Sequence, residues 1–396
     1  MSSAPPSRRP APAWLVERLR AAGGSVPFLT YMQWALHDPE HGAYGTGRLQ
    51  VGPRGDFATS PSLGPDFAEL LAPQLAQWLA AQPAGEPLAL VEAGPGEGHL
   101  ALQLAVALQR QWPELAARTE LVLIEPNPGM AERQRARLAG SPLPCRWLSF
   151  EQLAQQPVRG VLLAHEVLDA LAVERIAWDG ALWRRQQVVL HEDPSAGPSL
   201  RLEPGEALDA EMTAQLEPLG LLLAGAQRPP GWCTELHTGL TPWLRQAASA
   251  LSSGALLVID YAHEAWRYYA PQRSNGTLMA YRQQQASNDP LQEPGHWDLT
   301  AHLCLESLEA AAGTTGWTTL GQRRQGEALL ALGLAQRLHG LQQQPSSELG
   351  ELLRRREALL RLVDPQTLGD FRWIAFSRGT AKPSTGALFL QDPPMA

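Results

Sequence analysis

A glycine-rich segment after a short apolar run contains residue types that suit a ligand site. The run PLALVEAG contains Glu92 and ends at Gly94. Gly96 and Gly98 follow before the amphipathic segment HLALQLAVALQRQW. Glycines in such a place let the backbone turn sharply and approach a ligand that a Cβ atom would keep away. The pattern predicts a strand-to-helix turn with a ligand beside it, although such a turn can also serve packing alone.

The spacing of these glycines and the acids near them discriminate between two nucleoside-containing cofactors. The glycines follow G-x-G-x-G, not the G-x-G-x-x-G of dinucleotide-binding turns, and Pro95 lacks a backbone N–H that a pyrophosphate would use. Glu125 ends the next apolar run, LVLIEP, where a carboxylate can accept both hydroxyls of a ribose. The features favour S-adenosylmethionine (SAM) over NAD, with Glu92, Gly94, Gly96, Gly98 and Glu125 as binding residues. The alternative is a structural turn with two surface acids.

Two further acids follow the third apolar run, VRGVLLAHE. Glu166 and Asp169 would lie just beyond a central strand, beside the bound cofactor. A carboxylate can accept two parallel hydrogen bonds from a planar guanidinium, orient it and raise the electron density on its nitrogen. We therefore predict that both residues hold a cationic methyl acceptor. The alternative is that they are ordinary acids at a helix N-terminus.

The remaining candidates carry less specific signals. In GWCTELHTGL, Glu235 is a weaker catalytic candidate and His237 a speculative proton acceptor, since a lone polar residue is more often part of the packing. In GDFATSP, Asp56, Thr59 and Ser60 could either cap a loop or close over the cofactor. We place these three with the cofactor-binding residues, and we predict no metal site.

Composition excludes several other classes of protein. The 396 residues carry 40 acidic and 32 basic side chains, a net charge of −8, which argues against general nucleic-acid binding. Lys382 is the only lysine, so Schiff-base and P-loop chemistry are unavailable elsewhere. The three cysteines form no Cys-x-x-Cys pair, and no apolar run reaches the length of a membrane helix. These features predict a cytoplasmic protein without a secretory signal.

The elements that must position these residues follow an α/β pattern. Continuous apolar strands alternate with amphipathic helices, which is typical of a parallel sheet covered on both faces. The segment VERIAWDGALWRRQQVVL interrupts that pattern as a hairpin with its turn at Asp179-Gly180. We divide the chain into a disordered leader (1–12), an N-terminal helical region with an active-site loop (13–87), a Rossmann-like core in two parts (88–172 and 251–392), an inserted hairpin and helical subdomain (173–250), and a second insertion (262–298).

The chain resembles the MidA-like SAM-dependent methyltransferases over nearly its whole length. The blocks that carry the resemblance occur in the family's order: YMQWALHDPEHGAYG, GDFATSPS, VEAGPGEG, IEPNPGMAERQ, AHEVLDALAVERI, VIDYA, NGTLMAY, HWDLTAHL and LVDPQTLGDF. The resemblance implies a seven-stranded Rossmann-like methyltransferase fold with an inserted substrate-binding subdomain, SAM as cofactor and a protein substrate. Mitochondrial members are understood to dimethylate an arginine of a complex I core subunit and to assist assembly of that complex.

Two residues depart from the family pattern near the predicted acceptor site. His165 stands where the family has asparagine, and Ser62 stands where it has glutamate after TSP. Glu166 also looks like the first acid of the paired-glutamate loop in arginine methyltransferases. The departures bear on the acceptor pocket and leave the residues predicted to bind SAM unchanged.

The leading hypothesis is a SAM-dependent protein methyltransferase that modifies an arginine on a subunit of a complex-I-like respiratory or photosynthetic NDH complex. The alternatives are an assembly chaperone that keeps the fold without catalysis, a small-molecule methyltransferase and, more distantly, an NAD oxidoreductase. We expect a protein partner and neither nucleic acid nor membrane insertion, and we leave a homodimer open. A eukaryotic source would place the protein in a mitochondrion or plastid.

Overall fold

The computed structural model describes residues 10–49, 59–195, 197–222, 228–343, 349–379 and 386–394. Its strands are β1 (Ser25–Pro27), β2 (Leu88–Ala93), β3 (Thr119–Ile124), β4 (Cys145–Trp147), β5 (Val158–His165), β6 (Glu174–Trp178), β7 (Trp183–Asp193), β8 (Gly197–Ala207), β9 (Cys233–Leu236), β10 (Leu251–Asp260), β11 (Ala262–His263), β12 (Met279–Arg282), β13 (Gln285–Ser287), β14 (Asp298–Thr300), β15 (Leu303–Cys304), β16 (Thr318–Arg324) and β17 (Arg372–Arg378).

The α-helices alternate with these strands through most of the described chain. They are α1 (Ala13–Ala21), α2 (Phe28–His37), α3 (Asp66–Ala80), α4 (His99–Gln111), α5 (Pro113–Ala116), α6 (Pro128–Arg137), α7 (Phe150–Gln155), α8 (Ala210–Leu216), α9 (Leu240–Ala250), α10 (Ala265–Tyr268), α11 (Leu305–Thr314), α12 (Gln325–Ala331), α13 (Leu334–Gln342) and α14 (Leu349–Val363).

A seven-stranded mixed sheet forms the centre of the fold. The strand order is β16-β17-β10-β5-β2-β3-β4, and β17 runs antiparallel to both of its neighbours while the other pairs are parallel. All six residues of β2 are buried. Because successive side chains of a strand point to opposite faces, Leu88 and Leu90 join one apolar cluster and Val91 joins another. The predicted seven-stranded sheet with both faces covered is therefore confirmed, whereas the expectation that it is parallel is wrong for β17, which pairs antiparallel with β10 and β16.

Two strands differ from the sequence-based interpretation. The edge strand β4 has three residues, too few to show a pattern in the sequence. Strand β8 contains Pro198 and Pro204, which are unusual in strands, yet it pairs with β7 over almost its full length. It has one described neighbour, β7, and proline is tolerated on a strand edge that makes no ladder hydrogen bonds. The hairpin of β6 and β7, with its turn at Asp179-Gly180, is confirmed.

Segments that are far apart in sequence build a second layer beside the carboxyl ends of the central strands. Strand β1, from the N-terminal region, pairs with β7 of the inserted subdomain, so these two parts share one sheet. Helices α1 and α2 pack with residues of β7, β12 and β14 in a single apolar core that includes Phe28, Val188 and Leu299. Within the described residues, no helix is both long and apolar enough to cross a membrane.

Glycines allow the three central strands to approach one another closely. At Gly160 in β5, φ is +144°, and a Cβ atom would lie 2.0 Å from the carbonyl oxygen of Ala89 in β2. At Gly254 in β10, φ is +148°, and a Cβ atom would lie 1.8 Å from the carbonyl oxygen of Gly160. A side chain at either position requires the backbone of the neighbouring strand to move.

We expect Gly160→Ala to lower the free energy of unfolding by about 3 kcal/mol or more, because the clash is with backbone in the middle of the sheet. Urea unfolding followed by tryptophan fluorescence measures the change. Gly140→Ala is the matched control, since no atom lies within 4 Å of its added Cβ. Equal stability of the two variants would contradict this account of the sheet.

Candidate active site

The glycine-rich segment forms a tight turn between β2 and α4. The φ angles of Gly94, Gly96 and Gly98 are +59°, +52° and +77°, a region that residues with a Cβ atom rarely adopt. The Gly94 N–H donates to the carbonyl of Ile124 at the end of β3, at 3.1 Å. A Cβ atom on Gly94 would lie 2.8 Å from a methyl group of Val167. The turn is thus held against two neighbouring strand ends.

A cavity of about 400 Å³ lies beside this turn, and we call it the turn cavity. Gly94 and Gly96 line one side, and Glu125 and Glu166 come from the ends of β3 and β5. Its apolar wall consists of Leu49, Ile124, Met130, Phe150, Val167 and Trp243. Its size lies within the range of pockets that bind cofactors.

Glu125 is held in place by the start and the middle of α6. One carboxylate oxygen accepts the backbone N–H of Asn127 at 2.8 Å, and the other accepts Nε2 of Gln134 at 2.9 Å. Gln134 also donates to the carbonyl of Gly96 at 2.8 Å, so one side chain ties Glu125 to the glycine turn. Burial raises the pKa of Glu125. Each oxygen keeps a second acceptor site, which suits the two hydroxyls of a ribose.

The turn cavity fits SAM better than a dinucleotide. The glycine positions admit close approach of a ligand to the backbone, and Glu125 reaches the same space from the neighbouring strand. Among the described residues that line this cavity there is neither lysine nor arginine, so no side-chain cation is available there for a pyrophosphate. A nucleoside with a neutral or positively charged substituent suits such a surface.

Glu166 lies at the junction of the turn cavity and a smaller space of about 80 Å³ beneath the turn. Its backbone has φ +54°, a strained conformation for this residue, and its N–H donates to the carbonyl of Ile259 at 2.9 Å. Its carboxylate accepts the backbone N–H of Ser60. The Nδ1 atom of His165 lies 3.4 Å from Oε1 of Glu166, and burial lowers the pKa of His165 to about 3, so this ring is neutral.

Three buried acids lie close enough to Glu166 for their charges to act on it, and we call Glu166, Asp169, Asp260 and Asp298 the acid cluster. Burial raises the pKa of Glu166 well above its usual range, and the charges of the other three raise it further. Burial also raises the pKa of Asp169 to about 7 and that of Asp260 well above its usual range. Asp260 accepts the N–H groups of Val167, Leu168 and Asp169 at 3.0 to 3.3 Å, and so fixes the turn after β5.

Tyrosines surround the acid cluster and complete its wall. The hydroxyl of Tyr44 hydrogen-bonds to Asp298, and Tyr44 also lines the turn cavity. Tyr261 and Tyr281 lie close enough to Asp169 for its charge to raise their pKa values further, after burial as the main cause. Among the described residues, no set of three or more side chains is arranged to hold a metal ion.

The other predicted residues occupy different positions. Glu92 is buried beside the smaller space, accepts the N–H of Ala101, and has a pKa raised by burial to about 8. Thr59 lines the same space, whereas Ser60 reaches Glu166. Ser62 hydrogen-bonds back to Thr59 within one turn of helix, at 2.6 and 3.1 Å. Asp56 lies outside the described residues.

Glu235 and His237 do not line the turn cavity. Glu235 is buried within the inserted subdomain, where it accepts Tyr268 Oη at 2.9 Å and the N–H of Thr277 at 3.0 Å. His237 lines a separate cavity between the inserted sheet and the core. Their catalytic roles stay predictions.

Sequence reasoning missed Asp260, Asp298 and the pair Asn127 and Gln134. Asp260 ends β10, and the rule that ligands bind at the carboxyl ends of parallel strands could have found it. Asp298 comes from the second insertion and reaches the acid cluster only through the fold. Gln134 lies in the middle of α6, whose sequence is mostly polar and so predicts an exposed helix. No local pattern distinguishes Gln134 from its exposed neighbours.

We expect Gly96→Val to abolish SAM binding in a protein that still folds, because Gly96 lines the turn cavity at φ +52° and a branched side chain would enter the ligand volume. Isothermal titration calorimetry with SAM measures the affinity. Gly98→Asn is the control, since Gly98 lines neither the turn cavity nor the smaller space, and asparagine tolerates its φ of +77°. Unchanged affinity in Gly96→Val would remove this turn from the cofactor site.

We expect Asp169→Asn to stabilise the ligand-free protein at pH 8 and not at pH 4. An aspartate in the unfolded chain releases its proton near pH 4, whereas Asp169 in the folded protein keeps its proton to about pH 7. The free energy of unfolding therefore falls as the pH rises from 4 to 7, because the unfolded state loses the proton first. Urea unfolding at both pH values should show a gain of more than about 1 kcal/mol at pH 8.

Asp179→Asn provides the opposite control for that measurement. Hydrogen bonds from the backbone of Leu182 and Ala181 and from Arg184 lower the pKa of Asp179 to about 2, so its removal should bring no gain at pH 8. A pH-independent effect of Asp169→Asn would show that burial does not raise the pKa of Asp169.

Comparisons with known proteins support SAM as the cofactor. The profile of a family described as "Putative S-adenosyl-L-methionine-dependent methyltransferase" matches residues 70–323. The mitochondrial protein arginine methyltransferase NDUFAF7 homolog of Drosophila melanogaster is 28% identical, over 92% of this chain and 85% of its own length. The human protein arginine methyltransferase NDUFAF7 is 28% identical, over 73% of this chain and 66% of its own length.

A solved structure shows the same fold with a ligand bound. The crystal structure of a Burkholderia thailandensis protein bound to S-adenosyl-homocysteine has a TM-score of 0.83 and 31% identity to this chain. The match covers 96% of this chain and 95% of that protein. Because the family profile spans more than half of the residues and this relative covers nearly all of them, the chain belongs to the MidA-like family of SAM-dependent methyltransferases.

Proposed function

We propose that this enzyme methylates an arginine side chain of a protein, and that Glu166 and Asp169 hold the acceptor guanidinium. The observation that carries the proposal is the acid cluster, in which Glu166 lines the turn cavity and the charges of Asp169, Asp260 and Asp298 act on it. Burying carboxylates is costly unless a cation pairs with them. A guanidinium supplies that cation, together with five N–H donors in a planar fork.

The residues of the acid cluster would have different roles in binding and orienting the acceptor. Glu166 lines the turn cavity, so it would grip the guanidinium closest to the cofactor, while Asp169 and Asp298 would neutralise its charge from deeper positions. Asp260 is engaged with three backbone N–H groups and would act as a positioning residue for the turn that carries Glu166. When bound, SAM supplies an electrophilic methyl group. Orientation of the acceptor nitrogen toward that group is the contribution of the protein.

The raised pKa values give the site a preference for cations. In the ligand-free protein the cluster keeps protons that carboxyl groups normally release. A guanidinium that enters restores the ionised state, because an opposite charge within a few ångströms favours the charged form of a carboxyl group. A neutral amine or alcohol would gain no such interaction, which supports a guanidinium acceptor over most small metabolites.

The relatives support a choice of acceptor protein. The fruit-fly and human relatives are named protein arginine methyltransferases, and the resemblance to the MidA-like family implies a core subunit of complex I. We therefore propose a subunit of a complex-I-like respiratory or photosynthetic NDH complex as the substrate. The layer formed by the N-terminal helices and the inserted segments would meet this subunit, because it lies beside the strand ends that carry the acids.

We expect Glu166→Gln to lower kcat/KM for the acceptor at least 100-fold while SAM affinity stays within two-fold, because the amide keeps the hydrogen bond from Ser60 and loses the charge that holds the guanidinium. Mass spectrometry measures the effect as the extent of arginine methylation in purified complex I. The complex is taken from cells that carry the wild-type protein, the Glu166→Gln variant or no copy of the protein. Glu120→Gln is the control, since that half-buried carboxylate pairs with Arg146 at 3.0 Å near the edge of the sheet, away from both cavities.

Three outcomes would contradict this proposal in different ways. Wild-type methylation in Glu166→Gln would remove Glu166 from the acceptor site. Normal assembly of complex I with the SAM-blind Gly96→Val variant would favour a chaperone. Methyl transfer only to the metabolite fraction would favour a small-molecule acceptor.

A further inference from the structure

A second cavity, of about 550 Å³, lies between the inserted subdomain and helices of the core, and we call it the insert cavity. Its walls come from β6, β7 and α8, and from α9 and α11, which pack in one apolar cluster with residues of the central strands. It is larger than the turn cavity and has no lining residue in common with it. Nothing in the proposed mechanism uses it.

Helix α9 separates the two cavities. Thr241 lines the insert cavity and Trp243 lines the turn cavity. Residues two positions apart on an α-helix differ by about 200° around its axis, so these side chains leave nearly opposite faces. The cavities therefore lie on two sides of one helix, and occupation of one leaves the other accessible.

Buried polar atoms without a hydrogen-bond partner are concentrated on residues that line the insert cavity. Glu174, with 2% of its surface exposed, has no partner for Oε1, and His237, with 9% exposed, has none for Nε2. Thr238 Oγ1 and Arg185 Nε are likewise buried without partners. Buried polar groups are almost always paired in folded proteins, so such a concentration indicates a site that a ligand completes.

The ring of His237 presents a hydrogen-bond acceptor. Burial lowers its pKa to about 4, so the ring is neutral, and a hydrogen bond with the backbone of His302 only partly opposes that shift. Because Nε2 has no partner, the nitrogen that donates to the His302 carbonyl is Nδ1. Nε2 is then unprotonated and can only accept.

The charge of the insert cavity favours a cationic ligand. Glu174, Asp209, Glu211 and Glu306 line it, and Arg185, which pairs with Glu174, is the one lysine or arginine on its described wall. The remaining wall includes Met212, Leu219 and Ala311, which suit the methylene stem of a long basic side chain. Acceptors, excess negative charge and an apolar wall together match arginine or lysine.

We propose that the insert cavity is a docking site for a basic side chain of a polypeptide, separate from the methyl-acceptor site. Glu211, at the exposed rim, attracts the cation, and Glu174 and His237 offer acceptors at the buried end. The inference goes beyond the proposed function, because the bound segment need not be methylated. In a protein methyltransferase, such a site would hold a substrate through a second basic residue.

Fluorescence anisotropy with a fluorescein-labelled peptide, Gly-Arg-Gly-Arg-Gly, tests the proposal on the full chain. We expect Glu211→Lys, which reverses a rim charge, and Ala310→Trp, which fills the cavity, each to weaken binding at least ten-fold. Glu203→Lys and Ala214→Trp are the matched controls, since both residues are exposed and lie outside the cavity lining, and they should stay within two-fold of wild type. Replacing arginine with glutamine in the peptide should abolish binding, and replacing it with lysine should preserve it.

Glu166→Gln separates this inference from the proposed function. If the insert cavity binds the peptide, Glu166→Gln should retain most of the wild-type affinity. Loss of binding in Glu166→Gln but not in Glu211→Lys or Ala310→Trp would place the peptide in the acceptor site and overturn the docking proposal alone. Absence of binding to wild type, or equal binding of the glutamine peptide, would also overturn it.

Discussion

Carboxyl groups repel one another at the edge of the turn cavity, where the charges of Asp169, Asp260 and Asp298 act on Glu166, and this repulsion is the constraint on which the rest of the site depends. Each group loses hydration on burial, and the charge of each disfavours ionisation of the others. Glu166 adds a strained backbone at φ +54°, which costs about 1–3 kcal/mol. Proteins retain such energetic costs where they serve binding, because a ligand of opposite charge interacts favourably with the ionised carboxyl groups.

The central sheet makes that arrangement possible by fixing the strand ends. Gly160 and Gly254 bring β2, β5 and β10 into close contact, and apolar clusters cover both faces. The turn after β5 is then held by three N–H groups that donate to Asp260 on the adjacent strand. Glu166, the acid of the cluster that lines the turn cavity, is therefore positioned by a backbone turn that the sheet keeps rigid.

Cofactor and acceptor sites are also connected through one loop and one helix. Asn127, at the start of α6, donates to the carbonyl of Tyr44 at 3.1 Å and also to that of Gly45, while its own N–H binds Glu125. Tyr44 in turn contacts Asp298 of the acid cluster. Glu125 and Asp298, the residues proposed to serve cofactor and acceptor, are thus linked through Asn127 and Tyr44.

The sequence by itself determined the α/β core, the hairpin at Asp179-Gly180 and the class of cofactor, while the number of seven strands came from the family resemblance. The core and the cofactor class follow from local rules, since apolar runs mark buried strands and Gly94, Gly96 and Gly98 mark a turn that only glycine adopts easily. Only the tertiary structure decided the membership of the acid cluster and the separation of His237 from it. Asp298 reaches Glu166 across more than a hundred residues, because packing of apolar side chains, not local pattern, brings the inserted segments over the strand ends.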